Sequence, residues 1–172
     1  KHKLDTNVFG LGINTRKVEA FGKFGYVFPK NKFSSFGLQV SAMNHSQQSY
    51  FGTRIYNADQ ESGYANLMYQ SIIGNTRHKI KLGASYLYDK YDEILDTVQY
   101  NRTENIPGAF AEYTYAPVEN MTLVAGLRVD QHNFYGTFMV PRLHLRYCMF
   151  EKTVFRGSIG KGWRTANVIA EN

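Results

Sequence analysis

A single cysteine, Cys148, in 172 residues excludes a disulfide scaffold and any cysteine-rich zinc module. Proline is scarce at 4 and tryptophan scarcer at 1. No stretch approaches about 18 consecutive apolar residues, which excludes a transmembrane helix. A transmembrane barrel survives that test, because its strands alternate and never raise the average hydropathy. Acidic side chains are in the minority, 14 Asp+Glu against 20 Lys+Arg, for a net charge of +6. The chain opens on Lys1 and His2 with neither a start methionine nor a charged segment followed by an apolar one. No signal peptide is therefore expected, and the simplest account is a mature or excised piece of something longer. What is abundant is aromatic: 13 Tyr and 12 Phe, with 15 Gly beside them. That load, within 43% hydrophobic content, excludes a disordered chain. The length suits one domain, at roughly 150 residues per domain.

Apolar and polar residues alternate with period two in eight runs, which predicts strands at 16–28, 33–44, 62–73, 78–91, 108–116, 121–133, 139–148 and 153–162. In the second run Phe36, Leu38, Val40 and Ala42 oppose Ser35, Gly37, Gln39 and Ser41. In the sixth Leu123, Ala125, Leu127 and Val129 oppose Thr122, Gly126, Arg128 and Asp130. No comparable window keeps a 3.6-residue period. The expected fold class is all-β, an antiparallel up-and-down meander of about eight long strands.

Tight turns are expected at 29–32, 74–77, 117–120 and 151–152, from their Pro, Gly and Asn chemistry. Longer loops are expected at 46–61, 92–107 and 134–138. Short and long connections would then alternate, with all long loops at one end of the sheet. Strands of about 11 residues at ~3.3 Å each, tilted ~45°, span ~25 Å, the height of the apolar band on an outer-membrane barrel. Tyr26, Phe28, Tyr86, Tyr88, Tyr113, Tyr115 and Tyr147 gather near strand ends, as aromatic girdles do. A soluble antiparallel barrel or sandwich with an aromatic core is the alternative; strand length and loop asymmetry favour the membrane.

Residues 136–147, which include Pro141 and Arg142, resemble a barrel segment of TonB-dependent outer-membrane receptors. So does the run holding Arg156, Ser158, Gly160, Gly162, Arg164 and Asn167, followed by Glu171 and Asn172. Gly126, Arg128 and Asp130 are similar to that family's Gly-x-Arg-x-Asp strand, and Ala166 stands where many members carry proline. The 51–56 run, Phe-Gly-Thr-Arg-Ile-Tyr, is similar in flavour but less diagnostic. The resemblance is strongest over 107–172. It implies a β-barrel of roughly 22 strands around a plug, of which residues 1–172 would be a partial barrel domain without the plug or a TonB box. It also implies a place in the bacterial outer membrane and uptake of a scarce nutrient chelate: ferric siderophore, haem or cobalamin. The implied partners are outer-membrane lipid, the plug of the same full-length chain, the TonB complex and the chelate itself.

Two sets of residues stand out as candidate sites. With Leu127, Leu145 and Ile159 toward lipid, Arg128, Arg142, His144, Arg146 and Arg156 form a basic stripe toward the lumen, suited to an acidic plug surface or an anionic ligand. Glu112 and Asp130 share that face and can pair with some of them; a plain solvated wall is the other reading. In the expected long loops Tyr50, Arg54, Tyr56, Tyr100 and Arg102, with Phe51 and Tyr91, suit capture of a bulky ligand. They equally suit packing on one another or on lipopolysaccharide. Trp163 is expected as an interfacial anchor.

The other chemistries have little to stand on. Five histidines show no ligand spacing, so no metal site is expected. Asp89, Asp92, Glu93 and Asp96 lack a calcium-loop pattern and are expected to be solvated charge. No cofactor is expected, and no acid, base or nucleophile constellation supports an enzyme. Basic residues alternate with apolar ones instead of forming a patch, so no nucleic-acid partner is expected. Two other functions remain open: a small complete eight-stranded outer-membrane barrel acting as adhesin or structural protein, and a soluble β-barrel binding a small ligand.

Overall fold

A computed structural model describes residues 9–150 and 153–165. The expected turn at Glu151 and Lys152, and Ala166, Asn167, Glu171 and Asn172 of the resemblance, lie outside the described residues. Every element is a strand: β1 (Leu11–Phe28), β2 (Asn31–Phe51), β3 (Arg54–Ile73), β4 (Asn75–Leu95), β5 (Val98–Gln99), β6 (Arg102–Val118), β7 (Met121–His132), β8 (Gly136–Phe150) and β9 (Thr153–Gly160). They form one 9-stranded sheet in the order β1-β2-β3-β4-β6-β7-β8-β9, with the short β5 paired to β4. The order is open: β1 and β9 are not partners among the described residues. The all-β meander expected from the alternation is the fold.

The expected connections need correcting. Residues 46–61 are not a loop but the ends of β2 and β3 around a turn at Gly52 and Thr53, and 92–107 is mostly the ends of β4 and β6 with β5 between them. The 134–138 loop shortens to a turn at Asn133, Phe134 and Tyr135. Long loops and tight turns therefore do not alternate. The reason is physical. Backbone ladder bonds need only a donor and an acceptor, so pairing continues through Asn44, Ser46 and Gln48 after the apolar alternation has faded. Gly52 allows the sharp reversal: its φ of +63° is in the left-handed region, where a Cβ is penalised. Its N–H donates to the Gly10 carbonyl at 2.6 Å.

Burial is inverted relative to a water-soluble domain. Among the described residues the buried polar set includes Ser49, Asn66, Ser85, Asp89, Glu93, Glu104, Asp130 and His132, whereas only Tyr56 and Ile106 are buried hydrophobics. Leu38, Val40, Leu67, Leu82, Leu127, Leu143 and Ile159 are exposed. Large apolar side chains left bare in this number need an apolar medium to cover them. On β2 the apolar run extends from Phe36 to Ala42, and on β4 from Ile80 to Tyr88; polar residues follow on both.

By packing, the described residues gather into two compact units, one of 9–24, 38–66 and 85–106, the other of 25–37, 67–84, 107–150 and 153–165. In the first, Asp96 (φ 55°) turns β4 into β5, and its carboxylate accepts the Ile55 N–H at 2.8 Å while its own N–H donates to the Ile55 carbonyl. In the second, Phe28, Phe36 and Tyr69 form a ladder of ring contacts at 5.5 and 5.1 Å. The Ser34 and Ser71 hydroxyls bond each other at 2.8 Å, with the Tyr69 hydroxyl within 3.5 Å of Ser34.

Candidate functional site on the polar face

The registers of β7, β8 and β9 place the basic stripe on one face. Thr122, Arg146 and Arg156 form one rung across three strands; Val124, His144 and Ser158 form the next; Gly126, Arg142 and Gly160 the third. Arg128 lies opposite Val140, one rung further on. Period-two alternation and antiparallel pairing together force this alignment, since directly opposed residues point the same way.

The stripe is neutralised unevenly. Glu112 accepts from Arg142 Nη2 at 2.6 Å and from Lys81 Nζ at 3.0 Å, and Arg128 Nε donates to Asp130 Oδ2 at 2.8 Å. Gly126 makes the first of these possible, because it sits in register between Glu112 and Arg142. A Cβ there would lie 2.9 Å from Arg142 Nε and 3.1 Å from its Cγ, so the arginine side chain lies flat across the bare glycine. Arg146 and Arg156, directly opposed and exposed, make no ion pair among the described residues.

The expected loop candidates meet a different fate. Tyr56 and Arg102 come together at Glu93, which is 2% exposed: the Tyr56 hydroxyl donates to Oε1 at 2.6 Å and Arg102 Nη1 to Oε2 at 3.0 Å. Arg102 Nε also donates to Glu104 at 2.9 Å, and the guanidinium lies over the Tyr91 ring at 4.0 Å. Ser62 and Gln60 donate to the buried Asp89. Burial first, then the hydrogen bond and charge of Glu93, raise the Tyr56 phenol well above its ordinary value of 10.0. Tyr56 lies beside the Gly52 turn, ahead of the β3 apolar run that starts at Ala65. Tyr50 stays apart, half-buried against Gly12 and lining a cavity of about 570 Å³ with Asn14, Gln48 and Asn57. Arg54 and Tyr100 are exposed, and the Tyr100 N–H donates to the Glu93 carbonyl.

Two readings of the sequence change here, that of Glu93 and Asp89 and that of Trp163, while Asp92 and Asp96 stay toward solvent. Glu93 and Asp89 are buried acids, not solvated charge; their polar partners come from β3, 27 to 37 residues back, and, for Glu93, also from the start of β6. Asp96 is spent on a backbone N–H, and Asp92 pairs with Lys90 at 2.9 Å. Trp163 does not anchor the apolar face: it stacks on Phe138 (4.3 Å, 11°) and its indole N–H donates to Asp130 Oδ2 at 3.2 Å, on the polar face. The missed residues are Glu104 and His132. His132 is 1% exposed, ringed by Phe134, Tyr135 and Trp163, and accepts the Phe134 N–H at Nδ1. No group of His, Cys, Asp and Glu that could hold a metal occurs among the described residues.

Long antiparallel strands, a polar face that carries the charges and an apolar face left bare define a segment of a transmembrane β-barrel wall. The chain matches the TonB dependent receptor-like β-barrel family over residues 2–171, and belongs to it. Its place is the bacterial outer membrane. In fold it is similar to the alcaligin outer-membrane receptor FauA of Bordetella pertussis (TM-score 0.67, 13% identity, 83% of this chain and 28% of that one). It is also similar to a variant of the ferric enterobactin receptor PfeA of Pseudomonas aeruginosa (0.68, 16%, 94% and 26%). The unliganded ferric citrate transporter FecA is a third (0.57, 14%, 84% and 27%). The chain thus spans little more than a quarter of the length of each. No curated protein matches it in sequence.

Proposed function

We propose that residues 1–172 are part of the barrel of a larger outer-membrane TonB-dependent receptor that takes up a scarce nutrient chelate, of the ferric siderophore class. The inverted burial carries this reading: a wall greasy outside and charged inside suits a water-filled passage, not a catalytic cleft. The receptors it resembles in fold handle alcaligin, ferric enterobactin and ferric citrate by name, which supports an iron chelate over haem or cobalamin. The protein acts as a transporter and not as an enzyme, with a plug domain and the TonB complex as partners. A closed eight-stranded barrel is the second reading; that β1 and β9 are not partners among the described residues supports the first.

In this reading Tyr50, Arg54 and Tyr100 are the residues left to meet a ligand, because Tyr56 and Arg102 are held by Glu93. The test is growth and radio-iron uptake in an iron-starved host strain, with and without the full-length gene, across hydroxamate, catecholate and citrate chelates. Uptake of one chelate class that vanishes on deletion, and again without TonB, is expected. Equal uptake of every chelate by both strains would overturn the proposal.

A further inference from the structure

The outward face of the sheet continues past its last apolar residues. On β1 its positions run Val18, Ala20, Gly22 and Phe24, and on β2 Leu38, Val40 and Ala42. A Cβ at Gly22 would lie 3.4 Å from Val40 Cγ2, so the two sets share one face. The same alternation carries that face on to Arg16 and Asn14 of β1 and to Asn44, Ser46 and Gln48 of β2. These five, with Val18, line a cavity of about 550 Å³. It meets the cavity of about 570 Å³ at Asn14 and Gln48, where Tyr50 and Asn57 join the lining. From Val18 to Phe28 the backbone spans about 25 Å, at ~3.3 Å per residue and ~45° of tilt, which is the height of the apolar band. Arg16 and Asn14 therefore stand roughly 5 and 9 Å beyond it, at the depth of lipid head groups. This is the end where β2 and β3 run on past their apolar residues. Outer-membrane barrels extend that end outward and turn tightly toward the periplasm.

We infer that this groove binds the sugar head group of an outer-leaflet glycolipid, whose acyl chains lie along Val18, Val40 and Leu38. A sugar ring offers adjacent hydroxyls, each a donor and an acceptor, and the planar amides of Asn14, Asn44 and Gln48 present both kinds side by side. The Tyr50 ring adds an apolar face with a polar tip. Asp59 and Glu61, exposed on β3 in the same alternation as Asn57, accept from hydroxyls and repel phosphate, which favours a sugar over a phospholipid head group. The apolar surface below Val18 favours an acylated sugar over a free one, since the chains hold the head at the groove. The inference needs the outer-membrane location and nothing of the uptake reading.

The test uses the full-length receptor, freed of native lipid by detergent exchange, with tritiated rough lipopolysaccharide as the probe. Asn44→Ala combined with Gln48→Ala is expected to weaken retention about tenfold, the loss of two hydrogen bonds to an uncharged partner. Ser46→Trp, which fills the groove from an outward position, is expected to do the same. Both variants alter side chains outside the backbone ladder, so heat-modifiable gel mobility should stay that of the wild type. Equal retention by the wild type and by either assembled variant would overturn the inference. So would equal retention of phosphatidylglycerol, the mark of a general lipid surface, or equal binding of the deacylated saccharide, the mark of a free-sugar site. The comparison of the three probes on the wild type needs no variant. A receptor that holds the glycolipid but takes up no chelate counts against the uptake reading alone. One that takes up chelate but holds the three probes alike counts against the groove alone.

Discussion

Glu93 and Arg156 show two ways in which one polar face handles charge. Around Glu93 the sheet closes its own circuit, with Tyr56 from β3, Arg102 and Glu104 from β6 and Tyr91 from β4, all buried or half-buried. Around Arg156 it leaves like charges opposed and exposed. A buried ion pair must be satisfied by its own fold, because desolvation penalises each ion heavily. An exposed pair can wait for a partner. The Glu93 cluster therefore reads as the brace of the β4–β5–β6 hairpin.

The largest effect should come from breaking the closed circuit. Arg102→Ala leaves Glu93 and Glu104 buried without their arginine, a loss of about 3–5 kcal/mol. It should show as new proteolytic cleavage within 92–101 and faster amide exchange at Tyr100. Arg156→Ala should leave that hairpin's exchange unchanged.

The next compares the two faces of one strand. Ala111→Arg on the apolar side of β6 should destabilise insertion by about 2–4 kcal/mol, read as a lower urea midpoint in bilayers. Thr114→Arg, on the polar side, should shift it far less. Equal costs would mean that the faces are wrongly assigned.

Tyr56→Phe removes one hydrogen bond to a charged acceptor, about 1.5–3 kcal/mol. Its pH dependence sharpens the point. With the phenol's folded value raised above 10.0, its contribution is complete below that pH and is lost as the pH climbs through the folded value. Absorbance at alkaline pH should show a phenolate that forms after the others, and the variant should lack it.

The smallest effect is at Gly126. Gly126→Val displaces the Arg142 side chain and cuts its pair with Glu112, worth about 1 kcal/mol for a partly exposed ion pair. In that background Glu112→Gln should lose only its coupling to Lys81. A double-mutant cycle measures the difference.

Much of this was legible along the chain. The alternation of Leu123, Ala125 and Leu127 with Thr122, Gly126 and Arg128 is a local property of an extended backbone, and it assigned both the faces and the basic stripe. The hairpin ends were not legible. Residues such as Asn44, Ser46 and Gln48 carry no hydropathy contrast, yet ladder bonds hold them in β2. Trp163 was misplaced for a related reason: following β9, nothing in its neighbours tells lipid from lumen, and only its stacking on Phe138 decides.

The sequence by itself determined the all-β class, the two-faced strands and the family resemblance, because each depends on residue type and spacing along one strand. Which charges cancel depended on the tertiary structure. Glu93 with Arg102 and Arg142 with Glu112 cancel while Arg146 and Arg156 oppose like charge, and each outcome is set by cross-strand register, which no single strand carries.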